Sequence, residues 1–289
     1  RSLRTAKMMT QAQLCGDTIT RNMLSEIENG KATPSLATLQ YLADKLGVSV
    51  GYILATDREI MLFQKATCIE NIRAALRLKQ YDVCLSICSD EMRGADADDE
   101  IREIMALCHL GLAMDDIREG KLHAAATTLD CIADDVQDIC YPADSLRAEA
   151  IYSFRYLGLI SPSLYSNAFD VDENVPATND FCKFVEALGS IENGEYDYVR
   201  EKLLPFIPED SLQAALISAK MLMEEKQYEA ALPLLRSILD HIDRVDRILF
   251  YFAVRDAETC CKETERYKDA YLLSQEKVTL LEKMLREEE

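Results

Sequence analysis

The chain has 289 residues, of which 48% are hydrophobic, enough for two domains and a sizeable core. No stretch approaches 18 consecutive apolar residues, which argues against a membrane-spanning helix. No basic segment runs into an apolar one, so no secretory signal is expected. The net charge of −19 sets the chain as a whole against a polyanion.

Trp is absent, Gly (10) and Pro (7) are scarce, and Leu, Ala, Glu and Lys are abundant. No long Val/Ile/Thr alternation is bounded by turn residues, so an all-α protein is predicted. The charge is unevenly spread. Residues 1–56 hold six basic and four acidic groups, a balance of +2, which leaves −21 for the remainder. Only the first segment suits an approach to nucleic acid. Ten cysteines at irregular spacings, without a secretory signal, predict a cytoplasmic protein with thiols that mostly pack as small hydrophobes.

The chain begins at Arg1 in what reads as the middle of a helix, which predicts native residues upstream. Met9 to Cys15 reads as a short helix capped by Thr10. Gly16-Asp17-Thr18 is a turn. Thr20 caps a second helix, Arg21 to Glu28, whose Met23, Leu24 and Ile27 have core spacing. Asn29-Gly30 stops it. Pro34-Ser35 opens a third helix with a buried stripe of Leu36, Leu39, Leu42, Ala43 and Leu46, and Val48 to Leu54 forms a last one. With the first partial helix, that makes about five in under 60 residues.

From Asp57 onward a theme recurs: a polar turn, an aromatic residue or Leu, then small or apolar residues about three later. The aromatic or Leu positions are Tyr81, Leu122, Tyr196, Tyr228 and Tyr267, at gaps of 41, 74, 32 and 39 residues. The gap of 74 leaves room for one degenerate repeat. Leu159 to Asp180, with Ser161-Pro162 and Val175-Pro176, reads as an irregular connection. The final helix, from about Tyr267 to Glu289, carries Leu272, Leu273, Val278, Leu281 and Leu285, suited to capping the array or pairing with a second subunit.

Met9-Thr10-Gln11-x-x-Leu14, Leu24-Ser25-x-Ile27-Glu28-Asn29-Gly30, Pro34-Ser35-Leu36-x-Thr38-Leu39 and Leu42-Ala43-x-x-Leu46-Gly47-Val48 follow in an order that resembles the Cro-like, xenobiotic-response-element type of helix-turn-helix. Its turn is one residue shorter than the commonest version. The later period resembles tetratricopeptide repeats without their strict Trp/Gly/Pro consensus. Together they imply a five-helix DNA-binding domain, residues 1–56, followed by an α-solenoid of helix pairs, residues 57–289. Regulators of this order resemble the peptide-sensing RNPP group of bacterial proteins.

The resemblance implies roles. Thr20, Arg21, Asn22 and Glu26 would face base edges in the major groove of double-stranded DNA. Thr10, Gln11, Asn29 and Lys31 would contact phosphates. A homodimer and a short peptide effector are the implied partners. No motif points to peptide-contact residues; Asn71, Asn179 and Asn193 offer amides, with cap or loop roles favoured.

The residues show no Gly-rich phosphate loop, nucleophile elbow or zinc-protease pattern, so no enzyme and no cofactor are expected. Cys84-x-x-x-Cys88 and Cys260-Cys261 lack metal-ligand spacing, and His109, His123 and His241 are not near them in a motif, so no metal site is expected either. The alternative to a regulator is a repeat-based interaction scaffold that uses its N-terminal unit in assembly.

Overall fold

A computed structural model of the chain describes residues 1–91, 99–136, 139–140, 143–164, 168–241 and 246–286, and no strand occurs among them. The chain divides into two compact units. The first holds Arg1–Ile72; the second holds Arg73–Cys88 and the chain from Asp96 onward.

Five short helices open the first unit: α1 (Ser2–Ala6), α2 (Gln11–Cys15), α3 (Arg21–Glu28), α4 (Leu36–Leu46) and α5 (Val50–Leu54). Hydroxyls cap four of them, because Thr10, Thr20, Ser35 and Ser49 each accept a bond from a backbone N–H three residues on. The helices close on a core of Leu14, Cys15, Ile19, Leu24, Leu42 and Leu46. Two residues placed in the buried stripes lie outside it. Met23 is 37% exposed and Leu36 73% exposed. Leu36 is the first residue of α4, ahead of the turn whose Leu39, Leu42 and Ala43 face inward, and Met23 sits one position round from Leu24. Ile27 is half-buried rather than central.

Helix α6 (Asp57–Arg77) is followed by α7 (Tyr81–Glu91), α8 (Asp99–Glu119), α9 (Leu122–Asp135) and α10 (Asp144–Gly158). After a 3-10 turn at Pro162–Leu164 come α11 (Asp180–Glu192) and α12 (Tyr196–Tyr198). A π-helical stretch, Val199–Leu203, and a 3-10 turn, Leu204–Phe206, prolong α12. Pro205 has no N–H to continue an α-ladder. The chain ends with α13 (Leu212–Glu224), α14 (Tyr228–Leu239), α15 (Arg247–Glu263) and α16 (Tyr267–Met284). Residues 287–289 of the expected final helix lie outside the described residues.

The five recurring positions, Tyr81, Leu122, Tyr196, Tyr228 and Tyr267, are each the first residue of a helix: α7, α9, α12, α14 and α16. Two residues before each stands a left-handed residue, namely Lys79, Gly120, Gly194, Lys226 and Glu265. The next backbone N–H then reaches back five residues, as from Lys121 to Asp116, Glu195 to Ser190 and Gln227 to Leu222, each at 2.8 Å. This closure satisfies the carbonyls that a helix end leaves open and reverses the chain within three residues. Three of the five left-handed residues are not glycine, so the turn is imposed by the packing of the pair it joins. The region between Leu122 and Tyr196 holds α10 without such a turn after it. After α10 come Ser161, the 3-10 turn at Pro162–Leu164 and an acidic stretch before α11; residues 165–167 of the irregular reading of Leu159 to Asp180 lie outside the described residues.

Neighbouring pairs share one core that runs from Ala106 to Met284. Gly111 of α8 is where the ring of Tyr81 crosses. A Cβ there would lie 2.3 Å from the ring. The array is wound tightly enough that α15 packs against α8. A buried tie joins the two ends of this turn of the array: the Tyr156 hydroxyl on α10 donates to Asp246 Oδ1 at 2.8 Å, and the same oxygen caps α15 through the Leu249 N–H. Burial pushes the Tyr156 phenol well above its ordinary value and raises that of Asp246 as well.

Two outcomes follow. Gly111→Ala gains about 1 kcal/mol of helix propensity but forces overlap with Tyr81, for a net loss of about 1–2 kcal/mol in chemical denaturation, and a second change, Tyr81→Ala, removes that overlap term in a double-mutant cycle. Tyr156→Phe leaves part of the buried Asp246 carboxyl without its donor and lowers stability by about 1–3 kcal/mol, measured the same way.

Candidate nucleic-acid interface

The turn between α2 and α3 is set by Gly16, whose φ of 48° and ψ of −138° favour a residue without a Cβ. The Tyr41 hydroxyl donates to the Cys15 carbonyl at 2.8 Å and lies against the same glycine. A Cβ on Gly16 would sit 2.6 Å from the Tyr41 oxygen. Helix α2 begins with a reciprocal cap: Thr10 Oγ1 accepts from the Gln13 N–H at 3.2 Å, and Gln13 Oε1 accepts from the Thr10 N–H at 2.8 Å. Helix α3 begins at Thr20, whose hydroxyl oxygen accepts from the Met23 N–H at 3.2 Å.

Leu24, 1% exposed, turns one side of α3 into the core. Thr20, Arg21, Asn22 and Glu26 are all exposed, and with Leu24 fixed inward, helical geometry places Asn22 and Glu26 on the side away from the core. The structure thus places the four expected base-facing residues exposed along α3, from its N-cap Thr20 to Glu26 in its second half. Thr10 is exposed and spends its hydroxyl oxygen as a cap. Asn29 ends α3 and donates weakly to Ser25 Oγ at 3.4 Å. Lys31 is exposed just beyond, and its backbone N–H closes the helix on the Glu26 carbonyl at 2.8 Å.

Gln11 is held differently from the others. Its Nε2 donates to Glu28 Oε2 at 2.9 Å, at the far end of α3. Glu28 also accepts from Arg4 Nε at 2.7 Å and Nη2 at 3.1 Å, and Arg4 Nη1 donates to the Met9 carbonyl at 2.8 Å. One largely buried carboxylate therefore joins α1, the start of α2 and the end of α3. The hydrogen bonds from Arg4 are the main reason its pKa is drawn down to about 2, with Gln11 adding to them against burial. The sequence motif includes Glu28 without a role, and nothing in it points to Arg4. They lie 24 positions apart, and no spacing rule links them; Tyr41 escaped notice for the same reason.

The second unit carries a separate groove of about 340 Å³ on α11, α13 and α15, where Tyr196 and Tyr228 border Lys220, Arg255 and Asp256. Lys220 Nζ stands 2.7 Å from Asp256 Oδ2, and Arg255 bridges Asp256 and Glu192 at 3.1 and 3.3 Å. The amides considered for peptide contact fall elsewhere: Asn179 caps α11 by accepting from the Cys182 N–H at 2.8 Å, Asn193 ends the same helix, and Asn71 is exposed on α6. Eight of the ten cysteines are buried, and desolvation raises the thiols of Cys108, Cys182 and Cys260, the last to about 12. Cys131 and Cys140 are exposed. No group of three metal-ligating side chains occurs among the described residues.

A family model described as helix-turn-helix matches residues 1–53. These residues form a Cro-type helix-turn-helix domain. No curated protein matches the chain. Among solved structures, that of Bacillus thuringiensis PlcR in complex with the peptide PapR7 and DNA is similar at 14% identity over 99% of this chain and 97% of that one, with a TM-score of 0.24. The three-dimensional likeness at that score is slight. No helix among the described residues is long and apolar enough to cross a membrane.

The Glu28 junction has a measurable consequence. Its folded pKa lies below the unfolded carboxylate range, so its stabilisation is present above pH 4.5 and is lost as pH falls through about 2. At neutral pH, Glu28→Ala leaves Arg4 and Gln11 without their acceptor at a cost of about 1–3 kcal/mol. Hydrogen exchange at the amides of α3 then speeds up by about tenfold or more, while exchange in α13 to α16 stays unchanged.

Proposed function

We propose that this protein is a cytoplasmic, sequence-specific DNA-binding transcriptional regulator that acts as a homodimer and works by binding rather than by catalysis. The exposed residues of α3, from Thr20 at its cap to Glu26, carry this reading. Arg21 has the fork that pairs with guanine O6 and N7, Asn22 the amide that pairs with adenine N6 and N7, and Glu26 an acceptor for cytosine N4. Thr10, Gln11, Asn29 and Lys31 flank α3 and supply phosphate contacts. Glu28 keeps the Gln11 side chain in a set direction, which suits a contact that positions the domain.

The acidic remainder supports specificity. With −21 outside residues 1–56, non-specific association with DNA is opposed, and the weak +2 of the first segment leaves base contacts to provide discrimination. In this reading the DNA-binding domain ends at residue 56, just before α6, whereas the first compact unit runs on to Ile72. The helical array supplies dimerisation and takes up a short peptide or another effector. The groove of Tyr196, Tyr228, Lys220 and Arg255 supports this part, since aromatic walls and fixed charges suit an extended peptide.

Selection from a random duplex pool at near-physiological salt tests the reading. The whole chain is expected to enrich paired half-sites about 34 Å apart, one helical turn. Arg21→Ala combined with Asn22→Ala, with helicity unchanged by circular dichroism, enriches no motif or a relaxed one, since each lost pair removes about 1–3 kcal/mol of discrimination. An unchanged motif from the double variant removes these residues from the reading role.

A further inference from the structure

A second cavity, of about 530 Å³, lies where the end of α8, the start of α15 and the last turns of α16 meet. Its floor is apolar: Phe250 and Met284 are buried, and Leu280 is half-buried beside them. The approach of the three elements is close, since a Cβ on Gly120 would come within 3.0 Å of Arg247 Cγ and 3.3 Å of Met284 Cγ. Its volume is in the range of small-molecule sites, roughly 300–1,000 Å³.

Two basic and two acidic side chains ring that floor, Arg247 and Lys283 against Glu119 and Glu276. Arg247 is half-buried at the first turn of α15, and Lys283 stands on the last turn of α16. Neither is paired with a carboxylate among the described residues. Glu119, on the same wall, is already engaged by Lys121 Nζ at 2.9 Å. Glu276, exposed on α16, is the other acid of the wall. A half-buried guanidinium that has lost part of its hydration and gained no anion is the group that an incoming carboxylate repays best, because a charge-assisted, two-pronged bond is stronger than either partner's bond to water.

We propose that this cavity binds a small amphipathic carboxylate, with the carboxylate on Arg247 and Lys283 and the apolar body on Phe250, Leu280 and Met284. Arg247 follows directly on Asp246, the acceptor in the tie to Tyr156. A ligand here joins α8, α15 and α16 at the point where the array closes on itself, and so holds that closure. The site is separate from the groove bordered by Tyr196 and Tyr228, and its occupancy is read without DNA, so it stands or falls apart from the regulator reading.

The shared chemistry, a carboxylate on an apolar body, is met by a medium-chain fatty acid and by the C-terminus of a short apolar peptide. Calorimetric titration of the whole chain with decanoate and with N-acetyl-Leu-Leu, each beside its neutral counterpart (decanol and the peptide amide), separates the two sources. The expected result is one-to-one binding of at least one acid, about tenfold or more tighter than its counterpart, as a charge-assisted bond predicts. Arg247→Gln is expected to weaken that acid by about tenfold. Lys283→Gln, an exposed change that leaves the fold intact, weakens it a few-fold and gives a reading even if the first variant is unstable. The proposal is overturned if neither acid binds saturably by about 1 mM, if acid and neutral counterpart bind alike, or if Lys283→Gln and a folded Arg247→Gln both keep wild-type affinity.

Discussion

A helix pair buries only part of its apolar surface, and everything in the second unit follows from having to find the rest in a neighbour. The turn between paired helices must therefore be short and always of one hand. Five junctions meet that demand with the same device, a left-handed residue two positions before the second helix and a backbone bond reaching back five residues. Lys79, Lys226 and Glu265 adopt this conformation despite their Cβ atoms, which shows that the packing of the pair outweighs the local strain. The residue that starts each second helix then sits at the junction. Tyr81 fills it against Gly111 of the next helix, so the stacking of one pair on the next is written into an aromatic ring and the missing side chain opposite it.

The first unit solves a different problem. Its first five helices have five to eleven residues and are too short to be stable alone, so caps and one ionic junction hold them. Glu28 ties α1, α2 and α3 together from the side of α3 that faces the domain. That pin is at the C-terminal end of the helix, and Thr20, Arg21, Asn22 and Glu26 ahead of it stay exposed. Rigidity comes from one end of the helix, which leaves the other end open for the recognition proposed for it. The same junction gives the Gln11 side chain a fixed direction.

Local signals carried most of the legible information. Thr10, Thr20 and Ser35 before apolar runs marked helix starts, Asn29-Gly30 marked an end, and the recurrence of Tyr81, Leu122, Tyr196, Tyr228 and Tyr267 marked the second helices of the pairs. The irregular stretch after α10 was readable from Pro162 and Pro176. What escaped was non-local. Arg4–Glu28, Tyr41–Cys15 and Tyr156–Asp246 join positions 24, 26 and 90 apart, and no pattern along the chain announces them. Leu36 and Met23 misled because helical spacing identifies a face but not how far the neighbouring element reaches along it. The closure of the array on itself, with α15 against α8, was likewise invisible, since a period says that pairs stack and not how tightly they wind.

The central claim is that α3 meets DNA by its exposed residues from Thr20 to Glu26 while the array stays free for other ligands. Hydrogen exchange of the whole chain, with and without a duplex obtained by selection, tests it most directly. The account predicts added protection concentrated at residues 20–26 and at the start of α2, with α10 to α15 unchanged. Protection confined to the array, or none at α3 while the duplex is bound, would contradict it.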